Sequence, residues 1–166
     1  MTKKSFSLAP MTRSILVLTL VLWLLPCAFS AYALLTGQRI AGVIAAGLFA
    51  LYAIVWLFCR PYRFELSSDL LNIVFPCWQR KIAVEDIAAV RLLQRDGLKK
   101  QFGRAMRVGA GGLWGGFGWL WTSKNGFIEF YVSRLDGLVL IERRSGKNIL
   151  ITPEHAEEFV AAAEGK

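Results

Sequence analysis

The chain has 166 residues, 55% of them hydrophobic, with 20 Lys and Arg against 12 Asp and Glu and a formal charge of +8. That is the length of one ordinary domain, with an apolar content high for a soluble one. Three cysteines, an odd number, argue against a disulfide framework, and a single histidine supplies neither a zinc site nor a catalytic triad.

The apolar excess is local. Up to residue 60 the only charges are Lys3, Lys4, Arg13, Arg39 and Arg60, whereas all twelve acidic residues begin at Glu65. Residues 1–13 read as a short cytoplasmic tail. Ser14 to Gln38 gives 25 residues without a charge and Ile40 to Cys59 another 20, and either can cross a hydrocarbon core of about 30 Å at about 1.5 Å per residue. Residues 14–59 are therefore expected to form a transmembrane hairpin, with helices over about 14–36 and 40–59. A cleaved signal peptide is the rival reading, because Ala28-Phe29-Ser30 has a small-x-small form. Against it, the apolar run continues to Leu35 and a second span follows a four-residue link.

Basic residues before the first span and after the second, at Arg60, Arg63, Arg80 and Lys81, outnumber the single Arg39 in the link. The positive-inside bias places both ends in the cytoplasm, in a multi-pass protein of the bacterial inner membrane. Gly42, Ala46 and Ala50 recur every four residues and predict a strip for close helix approach. Pro26 removes a backbone donor inside the first span. Neither span carries an internal charge, which fits an anchor better than a pore or transporter.

From residue 60 to 166 the period changes. Tyr62, Phe64 and Leu66, then Leu71, Ile73 and Phe75, alternate with polar residues around Ser67-Ser68-Asp69 and predict a hairpin ended by Pro76. Further strands are expected over Lys81–Val84, Ala88–Gln94, around Ile128–Val132, and over Leu138–Glu142 and Asn148–Ile151. A C-terminal helix is expected with Thr152 as cap, Pro153 as first residue, and Ala156, Phe159, Val160 and Ala163 as its apolar stripe. Cys77 and His155 are expected as a packing residue and a solvated surface residue.

Between the halves lies a basic run, Arg91, Arg95, Lys99, Lys100, Arg104 and Arg107, opposed only by Asp96. A glycine-rich segment overlaps it, seven of the sixteen residues from Gly103 to Gly118 being glycine, interleaved with Trp114 and Phe117 and continued by Trp119 and Trp121.

Gly111-Gly112-Leu113-Trp114-Gly115-Gly116-Phe117-Gly118-Trp119, followed by Phe130-Tyr131-Val132-Ser133, Val139-Leu140-Ile141 and Ile149-Leu150-Ile151-Thr152-Pro153-Glu154, resembles the bacterial pleckstrin-homology-like domain family over roughly residues 62 to 164. The resemblance implies a small bent β-barrel or pair of orthogonal sheets capped by the C-terminal helix; with the transmembrane helical hairpin in front of it, the expected fold class is an α+β membrane protein. The first hairpin turn, Ser67-Ser68-Asp69, lacks the basic residues that eukaryotic phosphoinositide-binding relatives place there, so no phosphoinositide site is carried over.

The expected function is a membrane-anchored, non-catalytic binding module at the cytoplasmic face, with no cofactor, metal or catalytic residue. Its partners are expected to be the bilayer itself, anionic lipid headgroups, and a protein partner or a second copy. The candidate contacts are Arg91, Arg95, Lys99, Lys100, Arg104, Arg107, Trp114, Phe117 and Trp119. For the aromatics the alternative is a glycine-permitted bend whose rings fill the core. A small membrane-associated enzyme acting on lipid or envelope precursors is the second reading, and nucleic acid is disfavoured for want of a reading motif.

Overall fold

The computed structural model describes residues 3–94 and 101–165. Arg95, Lys99 and Lys100 of the basic run lie outside the described residues.

Two long helices come first among the helical elements. Helix α1 spans Arg13–Thr36 and ends on Gly37, whose positive φ of 70° lets its N–H return to the Ala33 carbonyl. Helix α2 spans Arg39–Ile54 and runs on through one wider π turn, Val55–Cys59, closed by Arg60 N–H on the Val55 carbonyl. Both stretches, Arg13–Thr36 and Arg39–Cys59, are long and apolar enough to cross a membrane.

The face that α2 buries differs from the expected strip. Ala41, Ala45, Tyr52 and Val55 are buried and Leu48 half-buried, a 4-3-4-3 spacing, while Ala46 and Ala50 are exposed. Small-residue spacing finds a shallow face, but here the buried face is the neighbouring one, which also carries Tyr52 and Val55. Pro26 has no N–H, so the Leu22 carbonyl four residues earlier lacks its helical donor. The Tyr52 hydroxyl supplies one at 2.9 Å.

Among the described residues the other elements include ten strands, a 3-10 turn over Val84–Asp86 and a short C-terminal helix. Strands β1 (Lys4–Ser7), β2 (Arg63–Leu66), β3 (Leu70–Val74) and β4 (Gln79–Ala83) form one antiparallel sheet in that order. Strands β5 (Ile87–Leu93), β6 (Ala105–Gly111), β7 (Gly116–Thr122), β8 (Gly126–Val132), β9 (Leu138–Arg143) and β10 (Ile149–Ile151) form the other, in the order β5-β9-β10-β8-β7-β6, with only β10 and β8 parallel. The domain is thus two sheets and not a closed barrel. Helix α3 (Ala156–Glu164) closes it, with Phe159 buried against Phe6 and Phe64.

Residues expected as a tail contribute β1 to the domain. Phe6 lies opposite Phe64, Leu8 N–H bonds the Tyr62 carbonyl, and Ala9 N–H bonds Thr152. The segment before α1 is therefore sewn to the segments after α2 and before α3. This puts both ends of the helical hairpin at the same place.

Strict alternation divides the core in two. Val139, Ile141, Ile149, Ile151, Phe117 and Tyr131 face the small sheet and α3. Ile128, Phe130, Val132, Leu138, Leu140 and Leu150 face the other way, with Leu93 and Phe102. The central strands are covered on both sides, hence their near-continuous apolar sequence.

Three further expectations are corrected. Thr152 does not cap α3, which begins at Ala156 after His155; its hydroxyl instead accepts the Ser133 N–H at 2.9 Å inside the core. Pro153 is consumed by a bridge to Leu8, so the helix starts later. Cys77 is exposed and not a packing residue, because it sits in the β3–β4 turn beyond the last paired residue.

Candidate functional site at the helix–sheet junction

Strands β6 and β7 make a long hairpin whose tip is Gly112 to Gly115, closed by Gly112 N–H on the Gly115 carbonyl at 2.8 Å. A side chain at Gly115, where φ is 147°, would place a Cβ 2.5 Å from the Val132 carbonyl, so the turn requires glycine there. Within the turn Leu113 points into the core, while Trp114 takes a left-handed φ of 58° and turns toward the helices.

Trp114 lands in an aromatic cluster. Its ring lies 4.8 Å from Trp56, 6.3 Å from Trp23 and 6.4 Å from Tyr52, all near edge-to-face. Its backbone N–H donates to the Thr19 hydroxyl at 3.0 Å, and that hydroxyl lies 2.8 Å from the Ile15 carbonyl and 3.1 Å from Gly112's. Thr19 is only 4% exposed. It satisfies strand-tip backbone groups that would otherwise be stranded against an apolar helix.

A second tie joins the small sheet to the end of α2. Trp78 stacks on Phe75 at 4.3 Å and donates its indole N–H to the Phe58 carbonyl at 2.9 Å. Arg60 lies over the Trp56 ring at 4.4 Å, and its burial pushes the guanidinium pKa down from its ordinary value.

The family comparison can be set against this geometry. The model of the bacterial PH domain family matches residues 62–166, which run from just after the second helix to the end of the chain. The chain belongs to the bacterial PH domain family. Neither the curated proteins nor the solved structures contain a match to it. The PH-like domain is of a generally non-catalytic, binding type, and here it is extended at its front edge by β1, which lies outside the matched residues.

The structure distributes the candidate contact residues among different settings of the PH-like domain. Phe117 is 1% exposed and fills the core between the sheets, as the glycine-bend alternative expects. Trp114 is taken up by the helices. Arg91 lies 3.4 Å from Glu142 in a largely exposed pair, an arrangement that contributes about 0–1 kcal/mol. Arg104 is exposed at the start of the hairpin, and Arg107 lies in β6 opposite Leu120. Trp119 is 49% exposed, with the Lys147 ammonium 5.0 Å from its ring.

Trp119 is not alone. In register across β6, β7 and β8 stand Val108 opposite Trp119, Met106 opposite Trp121 and Trp121 opposite Phe127, and all five are exposed. Lys147 also approaches Phe127. The sequence marks Trp119 and Trp121, whose two-residue spacing places them on one side of any strand, but not Met106, Val108 or Phe127. Likewise Thr19 and Trp23 are four apart and share a helix face, a signal available before the structure.

Where this face meets the core sits a buried polar group. Arg80 donates to Glu129, which the Tyr131 hydroxyl approaches at 3.4 Å, and burial followed by the Glu129 charge pushes the Tyr131 pKa up to about 12. On the small sheet the buried Glu65 carboxylate takes Lys3 at 2.8 Å and Arg63 at 3.0 Å, so the N-terminal segment is held electrostatically as well. At the far corner Asp86 accepts the Ser145 hydroxyl at 2.6 Å, the Ser145 N–H at 2.7 Å and Arg143 Nε at 2.7 Å. These bonds hold its carboxyl down at about 2. His155 is exposed with Glu158 at 4.0 Å, and no group of three metal-ligating side chains occurs among the described residues.

Proposed function

We propose that this protein is a membrane-anchored, non-catalytic binding module. Its helical hairpin crosses the bacterial inner membrane, both ends are cytoplasmic, and the PH-like domain is held against the inner leaflet. There it contacts anionic lipid headgroups first, and a protein partner through the same surface. The observation that carries this reading is the pairing of β1, before the first helix, with β2, after the second. A domain built from both flanks of a helical hairpin cannot drift from the helix ends.

The positive-inside charge bias supports the cytoplasmic side. Arg104, Lys147, Trp119 and Trp121 combine exposed cations with amphipathic rings, the residue types that favour a headgroup region. The basic residues Arg95, Lys99, Lys100 and Arg107 are proposed to add to this attraction.

Two measurements test the proposal on the full chain. Reporter fusions at Lys166 should be active only in the cytoplasmic form, and activity of an exported reporter would reverse the topology. Hydrogen exchange in nanodiscs should then show β6–β8 more protected with anionic than with zwitterionic lipid, the difference fading at high salt. Equal protection in both would remove the lipid and leave the protein partner.

A further inference from the structure

The outer face of the large sheet is incompletely covered. Between it and the start of α1 lies a cavity of about 330 Å³, lined by Ile15 and Leu18 of α1 and by Leu120, Phe130, Val132 and Leu150 of the strands among others. Every lining residue is apolar or glycine. The glycines of the hairpin tip help to make the space, since a side chain at Gly116 would meet the Phe130 ring at 2.7 Å and one at Gly112 would meet Leu18 at 2.9 Å.

The cavity's side-chain lining is apolar, so that only backbone groups offer hydrogen bonds there, and its size reaches the lower end of ligand pockets, about 300–1,000 Å³. What fills it must be apolar and close at hand. One wall is α1 itself, where Leu16, Val17, Leu18, Leu20 and Val21 are exposed. The 24 residues of α1 measure about 36 Å against a hydrocarbon core of about 30 Å, so its first turn lies at the inner boundary. Ile15 and Leu18 therefore stand where phospholipid acyl chains begin. Arg13 and Arg104, each exposed and close in sequence to lining residues, put positive charge beside that level.

We propose that this cavity receives one acyl chain of an inner-leaflet phospholipid, which leaves the bilayer beside Ile15 and Leu18 and lies against Leu120, Phe130 and Leu150. The inference rests on the membrane reading given above. A chain gains no hydrophobic energy by leaving lipid, so the driving force is the contacts recovered by filling the void.

The test is photo-crosslinking of the full chain in nanodiscs, with a phospholipid carrying a diazirine near the carboxyl end of one acyl chain and adducts mapped by mass spectrometry. Adducts are expected on Phe130, Val132, Leu135 or Leu150 as well as on lipid-facing residues of α1 and α2. Leu120→Trp, which fills the cavity, should abolish the strand adducts and keep those on the helices. Helix adducts without strand adducts in the unaltered protein would overturn the inference and leave the membrane reading standing. Adducts on neither would overturn both.

Discussion

The two ends of the β6–β7 hairpin both carry aromatic residues and have opposite fates. At the tip, Trp114 is surrounded by Trp23, Tyr52 and Trp56, and its backbone is satisfied by Thr19. At the other end Met106, Trp119, Trp121 and Phe127 are exposed, although they sit on equally regular strands. What differs is the opposing element. The helices cover the tip and the small sheet covers Phe117, but neither reaches the outer half of the ribbon. An aromatic on a glycine-rich strand thus becomes core, junction or surface according to what lies across from it, which composition does not encode.

The sharpest way to break the comparison is at the tip. Trp114→Ala should lower the unfolding free energy of the full chain in detergent by about 3 kcal/mol, measured by denaturant or thermal unfolding, since a packed tryptophan is removed and three aromatic neighbours lose their contact. Tyr52→Phe is gentler. It keeps the ring and leaves the Leu22 carbonyl without a donor beside Pro26, so a loss of about 1 kcal/mol is expected by the same measurement. If Tyr52→Phe cost nothing, the helical break at Pro26 would be satisfied some other way.

How far these features were legible depends on the range of the contacts. The helices followed from charge-free runs, and β2, β3 and β8 from local alternation. Strand β1 did not, because Phe6 and Leu8 are too few to show a period and their partners lie beyond both helices. Strands β6 and β7 were obscured by glycine, which has no side chain to mark a face. The buried face of α2 was misjudged by one position, because Tyr52 and Val55 rather than the small residues identify it. In the site, the rings were visible as candidates, but assigning Trp114 to the helices needs a pairing with Thr19 across 95 positions.

Acid separates the regions differently. The contacts described for Trp114 are aromatic rings and the Thr19 hydroxyl, with no carboxylate among them, whereas the corner between β5 and the β9–β10 turn depends on Asp86. Its carboxyl is held at about 2, below its ordinary 3.8, so the stability it supplies is complete above the ordinary value and is lost as pH falls through the native one. Unfolding midpoints of the parent should exceed those of Asp86→Asn at pH 5, with the gap closing as the pH approaches 2. Hydrogen exchange should show the corner loosening while Trp114 and Thr19 stay protected.

The smallest expected change lies at the exposed end. Trp121 is 40% exposed and stands in register with Met106 and Phe127, themselves exposed, so Trp121→Ser should alter the unfolding free energy by no more than about 0.5 kcal/mol. It should nevertheless reduce the lipid-dependent protection of β6–β8 in anionic nanodiscs, because an amphipathic ring is lost from the contact face while the fold is kept. A cost as large as that of Trp114→Ala would mean that the outer end is packed after all, and the contrast between the two ends would disappear. A neutral stability effect with unchanged protection would instead keep the contrast and move the contact to Arg104 and the basic run.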